Sequence, residues 1–394
     1  MNTPEPVDIV VVGAGYAGVM AANRLLGSLS EAERSDVRVT VVNPRTEFVE
    51  RIRLHQLAAG SRESVMVPLT GILHDGASLV VGSARMIDTD ARTVTVTTAG
   101  GDVNLRYDYL IYALGSVAAA SVPGAREHSC LLADAEGAQR AAAAIKDGRG
   151  QRVLVVGGGL TGVEAASEIA ELHPDFAVTL VSQGPVLSLM RTAARNSILR
   201  KLRRLGVAVE TGVAVGAIES DHALLADDRK IAFDVCVLAA SFAVPDLARL
   251  SGLAVDQAGR LRVDEYLRAV NSPEIIGAGD SVVAPDSVAR HLRMSCAAAL
   301  PLGGHAANTV LAALRGETPK RLSVGFLIQC ISLGRRAGYV QVVRADDAPR
   351  PFHLGGWLGA RVKESICTMV VRALREERSK PGAYHAPRGP KAVA

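Results

Sequence analysis

The chain has 394 residues, 48% apolar and 21% charged, with 38 glycines and a formal net charge of +4. That length exceeds what one hydrophobic core organises, so two or three domains are expected, and the composition excludes a disordered or fibrous protein. The basicity is confined to the end: residues 357–394 carry eight Lys/Arg against three Glu, or +5, leaving −1 for everything before, and no nucleic-acid partner is expected.

In chain order, residues 8–12 and 38–42 are β-branched apolar runs bounded by turn residues and predict buried parallel strands, with a helix from Gly18 to about Leu29 between them. Residues 84–97 and 102–114 add strands of another kind, the 93–97 segment alternating like a half-exposed antiparallel strand. The strand-turn-helix-strand unit then returns: runs at 152–156 and 177–181 flank a helix from Gly162 to about Leu172, and 207–215 and 233–239 follow as before. No run of about 18 apolar residues predicts a bilayer span, and no leader pattern precedes the strand at Asp8, so a cytoplasmic protein is the default. Cys130, Cys236, Cys296, Cys330 and Cys367 are odd in number and form no C-x-x-C, which argues against a disulfide framework or a metal site; most predict buried small hydrophobes.

Gly13-Ala-Gly15-Tyr-Ala-Gly18 follows a strand and opens a helix, the setting in which G-x-G-x-x-G cradles a dinucleotide pyrophosphate on a helix N-terminus. Gly157-Gly-Gly159-Leu-Thr-Gly162 repeats the pattern in the same setting. Two such sites in one chain suit a diffusible hydride donor and a bound acceptor, the pairing of NAD(P)H with FAD.

On these turns, together with Tyr107-Asp-Tyr-Leu-Ile-Tyr-Ala-Leu-Gly115 and Pro273-Glu-Ile-Ile-Gly277-Ala-Gly-Asp280, the sequence resembles the FAD-dependent pyridine nucleotide-disulfide oxidoreductases, and most the type II NADH dehydrogenase (NADH:quinone oxidoreductase) branch. The resemblance covers about residues 7–340. It implies an α/β fold with two Rossmann-like dinucleotide-binding domains and a C-terminal α+β interface domain: residues 1–118 and 241–308 for FAD, 119–240 for NAD(P) and 309–380 for the interface; the Pro- and Gly-rich residues 381–394 read as a disordered tail. It further implies FAD contacts from Gly13, Ala14, Gly15, Tyr16, Ala17, Gly18, Asn43, Arg51, Ala113, Gly115, Gly279 and Asp280. Contacts to NADH or NADPH are implied for Gly157, Gly159, Thr161, Gly162 and Ser182. Asn43 and Ser182 stand where the family carries an acidic ribose ligand, and Ser182 removes the repulsion that would exclude a 2′-phosphate.

For the electron acceptor, residues 44–60 and 157–172 contain no cysteine, so a thiol relay is not expected, and a Cys130/Cys330 redox pair is set below ordinary packing. Quinone is implied by analogy: the quinone-reducing branch presents two Gln beside the flavin where this chain has Pro301 and Leu302, though Gly303 keeps a close approach. Glu164 is placed at the nicotinamide-flavin junction, whereas Glu168, one turn on, predicts a solvated or capping carboxylate. His305, with His291 and Arg293, is a candidate proton donor, and Glu164 and His305 are the catalytic candidates.

Residues 358–377 form an amphipathic pattern in which Arg361, Lys363, Arg372, Arg375 and Arg378 decorate other faces, with Trp357 at its head. This suits peripheral contact with the inner face of a cell membrane, internal packing or a homodimer interface. The leading expectation is an NAD(P)H dehydrogenase passing electrons from FAD to a quinone or similar small acceptor. The alternatives are a reductase for a protein electron carrier and a slow redox-sensing flavoprotein resembling apoptosis-inducing factor.

Overall fold

The computed structural model describes residues 5–147, 151–240 and 242–390. The first strand, Val7–Val12 (β1), is apolar from Ile9 onward, and its last four residues are at most 2% exposed, covered on both faces. It enters helix Tyr16–Ser28 (α1), and the chain returns through Val37–Asn43 (β2), parallel to β1 with Val10 opposite Thr40. Helix Leu54–Ala59 (α2) follows, then Ala77–Asp88 (β3), parallel to β2, and the antiparallel Thr93–Thr98 (β4) and Gly101–Arg106 (β5), before Tyr109–Tyr112 (β6) pairs with the free side of β1.

The second unit begins with Cys130–Leu131 (β7) and helix Ala135–Lys146 (α3), capped by the Asp134 carboxylate on the Gly137 amide at 2.6 Å. Arg152–Val156 (β8), helix Leu160–Leu172 (α4), Ala177–Ser182 (β9), Ala208–Thr211 (β10) and Val235–Leu238 (β11) assemble a five-stranded parallel sheet in the order β7-β11-β8-β9-β10. The chain then rejoins the first sheet. Ser272–Gly277 (β12) pairs parallel to β6, giving the eight-stranded order Arg268–Ala269, β12, β6, β1, β2, β3, β4, β5. The first sheet is thus built from two separated stretches with the second unit inserted between them.

Helix Cys296–Leu314 (α5) carries no charged side chain and is long and apolar enough to cross a membrane, where the sequence expectation was that no stretch would qualify. Its apolarity serves the core instead, since 72% of its span is buried and it packs along α1, where a Cβ on Gly303 would meet the Ala17 carbonyl oxygen at 2.2 Å. The chain continues in an antiparallel sheet, Ile328–Ser332 (β13), Gly338–Val343 (β14) and Pro349–Gly355 (β15), and the 24-residue helix Gly356–Ser379 (α6).

Residues 381–390, expected to be disordered, are fastened to the first domain; 391–394 lie outside the described residues. Glu377, fully buried, pairs with Arg24 of α1 at 2.6 Å and also accepts the Gly382 and Tyr384 amides at 2.5 and 2.9 Å. Farther on, the Pro387 carbonyl accepts the Gly325 amide at 2.8 Å. The Gly382 and Tyr384 bonds depend on the buried Glu377 carboxylate a few residues back and the Pro387 bond on a distant loop, neither of which composition registers.

Candidate active site

At the first glycine turn Gly13 has φ of +103°, and a Cβ there would meet the Ala113 carbonyl oxygen at 2.5 Å, so only glycine lets β1 and β6 end this close together. Gly18 sits against the Gly13 carbonyl, whereas nothing lies within 4 Å of the position a Gly15 Cβ would take. The turn is therefore closed on its protein side and open at the start of α1, as a pyrophosphate on the helix dipole requires. Asn43, at the end of β2, holds the Ala14 amide through its side-chain oxygen at 3.1 Å. Tyr16 packs edge-on against Phe48 and accepts the Ile52 amide on its hydroxyl at 3.3 Å; burial pushes that phenol well up.

On the far side of the same turn, Gly279 and Asp280 follow β12. Asp280 accepts the Ser116 hydroxyl and the Ser295 amide, each at 3.0 Å, and burial raises its carboxyl despite these bonds and the nearby Arg51 cation. Arg51 donates to the Ser116 carbonyl at 2.5 Å, and Gly115, at φ +67°, precedes it. The implied FAD ligands from three separated stretches thus converge on one open turn, and this arrangement fits the cofactor.

The second turn repeats the first: Gly157 is at φ +128°, Gly162 abuts the Gly157 carbonyl, and Gly159 faces open space while Thr161 is half-buried in the first turn of α4. Ser182, at the end of β9, lies directly over Gly158, its hydroxyl 2.2 Å from the place of a Gly158 Cβ. A cavity of ≈ 300 Å³ opens here, lined by Gly158, Gly159, Ser182, the loop 184–190, Arg293 and Gln329. It runs from the second glycine turn to Gln329, the neighbour of Cys330 on β13.

Where α2, α4, β13 and α6 meet, the structure buries a charged cluster. Glu164 Oε1 is 3.1 Å from Lys363 Nζ and accepts the Ser332 amide at 3.0 Å. Burial pushes the Glu164 carboxyl up, but Lys363, His55 and the Ser332 amide outweigh it, so the group ends below the usual carboxylate range. Lys363, only 12% exposed, is held above the usual lysine range by Glu164 despite its burial. The same cation faces Cys296, Cys330 and Cys367; burial pushes Cys296 and Cys367 up to about 11 and Cys330 in the same direction, so all three are thiols near neutrality. His55 is 2% exposed, with Nδ1 3.8 Å from Glu164 and Nε2 3.6 Å from Glu168 and 3.2 Å from the Ser332 hydroxyl. Its burial drives the ring down to about 4.

Glu168, expected to be solvated, is 1% exposed: the exposed Ser61 donates to its Oε1, and burial raises its carboxyl against that bond and the Arg335 cation. An outer layer fixes the helices. Arg53 grips Glu364 of α6 with two bonds, 2.7 and 3.1 Å, and Arg335 adds a third at 2.7 Å. Burial would raise Glu364, but these bonds pull it down to about 2.

Of the two catalytic candidates, Glu164 lies in this cluster and His305 does not. His305 belongs to a later turn of α5, its Nε2 buried without a partner among the described residues and its ring lowered to about 4 by burial, toward Lys320 and Arg24. His291 bonds the Val324 carbonyl at 2.6 Å; Arg293 pairs with Asp347 at 2.6 Å and lines the cavity. Cys130 lies on β7 beside the strand that holds Cys236, whereas Cys330 is on β13; all five cysteines are free. Sequence reasoning missed His55, Ser332 and Lys363. Lys363 is read from sequence as lying off the apolar face, yet it stands four residues before Cys367, seven before Val370 and eleven before Leu374, the buried stripe of α6.

The family model for the pyridine nucleotide-disulphide oxidoreductases matches residues 7–299. An NADH dehydrogenase-like protein of Mycobacterium tuberculosis (strain CDC 1551) is 31% identical over 368 residues, which span 86% of this chain and 90% of that protein. The type II NADH:quinone oxidoreductase NdhA of Mycobacterium tuberculosis (strain H37Rv) is 25% identical over 319 residues, 70% of this chain and 66% of that protein. Among solved structures, the sulfide:quinone oxidoreductase of Aquifex aeolicus superposes with a TM-score of 0.80 at 18% identity, covering 95% of this chain and 93% of that one.

Proposed function

The chain belongs to the pyridine nucleotide-disulphide oxidoreductase family, and on that premise we propose that it takes hydride from NADH through FAD and delivers the electrons to a quinone or similar small acceptor. FAD accepts hydride from nicotinamide and gives electrons onward; the protein's share is to hold the two dinucleotides in line and manage protons. We assign the first glycine turn, Asn43 and Asp280 to FAD, and the second turn with Ser182 to NADH. The observation that carries the reading is the cavity beside the second glycine turn, which reaches from Gly159 to Gln329 on β13.

Lys363 supplies what an acceptor oxygen requires as it gains electrons, a buried ammonium with protons to donate, and Glu164 holds that ammonium charged. Quinone enters from the name of the 25% identical relative and from this ammonium, not from a matched glutamine pair, since Pro301 and Leu302 are both buried in α5. The test is anaerobic stopped-flow mixing of the flavin-loaded protein with NADH or NADPH, followed by a short-chain quinone. Rapid bleaching and rapid reoxidation are expected. Bleaching without reoxidation removes quinone and directs the search to protein electron carriers.

A further inference from the structure

Lys363 and Glu164 are enclosed: their side chains are 12% and 8% exposed, so a proton given to a reduced acceptor must be replaced through the protein. One row of polar groups leads from there to solvent. Glu164 Oε2 faces His55 Nδ1 at 3.8 Å; His55 Nε2 faces Glu168 Oε2 at 3.6 Å; Glu168 Oε1 accepts the hydroxyl of Ser61, which is exposed. Glu168 Oε2 has no hydrogen-bond partner among the described residues, although it is buried. An orphaned carboxyl oxygen aimed at an imidazole is costly to keep unless it carries a proton or exchanges one.

We propose that Ser61, Glu168, His55 and Glu164 form a proton relay that refills Lys363 from solvent during reduction of the acceptor. This rests on the reading of the site as an NADH dehydrogenase that reduces a proton-consuming acceptor. The balance is that of any quinone-like reduction. The acceptor takes a hydride equivalent that originates on nicotinamide and one further proton, released as an N–H bond of Lys363 breaks and an O–H bond forms. Glu164, a carboxylate at rest, takes a proton as the His55 Nδ1–H bond breaks and hands it to the neutral Lys363 amine, returning to the carboxylate. As Nδ1–H breaks, the Glu168 O–H proton moves to Nε2, and water at Ser61 reprotonates Glu168. The Ser332 hydroxyl, 3.2 Å from His55 Nε2 and 3.3 Å from Glu164 Oε1, keeps the ring in register.

The electrostatics around the row agree. Glu164 and Glu168 on α4, Arg53 beside His55, Lys363 on α6 and Arg335 in the β13–β14 loop all face the ring; burial dominates and keeps it neutral, able to accept at one nitrogen while donating at the other. Around Glu168, burial with Glu164 and Glu171 favours the protonated acid against Ser61 and Arg335. His55 and Glu168 act through Glu164 and Lys363 and are positioning residues.

The test compares two acceptors on the flavin-loaded enzyme: dichlorophenolindophenol, whose reduction consumes a proton, and ferricyanide, which takes electrons only. Glu168→Gln is expected to lower the ratio of dye to ferricyanide turnover about tenfold and to raise the solvent deuterium effect on the dye reaction. In His55→Ala, added imidazole restores the ratio. Infrared spectroscopy at neutral pH, with and without flavin, is expected to show a protonated carboxylic acid band that Glu168→Gln lacks. An unchanged ratio, equal losses with both acceptors, or an ionised Glu168 would overturn the relay. A dye defect in an enzyme that no quinone reoxidises keeps the relay and rejects quinone; quinone turnover with an unchanged ratio rejects the relay alone.

Discussion

Two buried imidazoles set the acid side of stability. His55 and His305 are each driven from the usual 6.5 to about 4 by burial, so the folded protein keeps them neutral where the unfolded chain takes up protons. As pH falls from about 6.5 to about 4, each ring removes up to ~1.4 kcal/mol of stability per pH unit. Glu168 works in the opposite sense, because its raised carboxyl binds a proton in the folded state first. Asp280, also raised by burial, adds to Glu168; the histidines of the unfolded chain take up protons near pH 6.5, above the ordinary carboxylate range, so the thermal midpoint is expected to fall as pH drops from about 6.5 toward about 5. The double variant His55→Gln/His305→Gln flattens the slope. A wild-type midpoint that does not move between pH 6.5 and 5 would mean that these rings titrate as if exposed. Neither environment was legible beforehand. The sequence supplies the residue type and the turn of the helix that carries Glu164, just past the second glycine turn. The walls that bury His55 come from residues 332 and 363, more than 270 positions away, and no local pattern reports them.

The pair α1 and α5 shows what the elements contribute. α1 opens at the first glycine turn, and its contact with α5 is close because Gly303 brings its backbone against Ala17; a Cβ would stand 2.2 Å from the Ala17 carbonyl oxygen, where no side-chain movement relieves the clash. Gly303→Ala is therefore expected to cost ~1–3 kcal/mol by forcing the helices apart. Because Ala17 belongs to the first glycine turn, the variant should also lose FAD more readily on gel filtration. Unchanged flavin occupancy with a lowered melting temperature would separate the helix contact from the cofactor turn. Helices and central strands were legible because their periodicities are strong and their glycine turns recur. The inward face of α6 was not: Lys363 looks solvent-facing by type, and only its spacing from Cys367 and Leu374 reveals that it points into the molecule. A charge placed on a buried stripe is a signal that polarity alone discards. The tail after α6 was misread for a related reason, since its Pro and Gly content says nothing of the buried Glu377 that gathers its amides.

At the scale of the whole molecule, two sheets with parallel cores each carry a glycine turn, the first sheet extended by antiparallel strands, and α6 closes the C-terminal layer with its inward face. Its outer end is different. Trp357 is 63% exposed, Phe352 in the middle of β15 73% and Leu358 43%, with the Arg361 guanidinium 5.8 Å from the Trp357 ring and Arg350 exposed two residues before Phe352. Aromatic side chains next to arginines on an exposed helix start suit an anionic lipid surface, where the rings enter the headgroup layer and the cations meet phosphate. If the acceptor is a lipid-soluble quinone, this edge would bring the enzyme to it. Removing two aromatic anchors forfeits ~1.5–3 kcal/mol of burial each. Phe352→Ser/Trp357→Ser is therefore expected to weaken co-sedimentation with anionic phospholipid vesicles at least tenfold, leaving turnover with a water-soluble dye at the wild-type rate. Raising the salt concentration should release the wild-type protein in part, because arginine attraction is screened and ring burial is not. Equal sedimentation of variant and wild type would show that the aromatic edge does not hold the vesicle, and release that is complete in salt would assign the contact to charge alone.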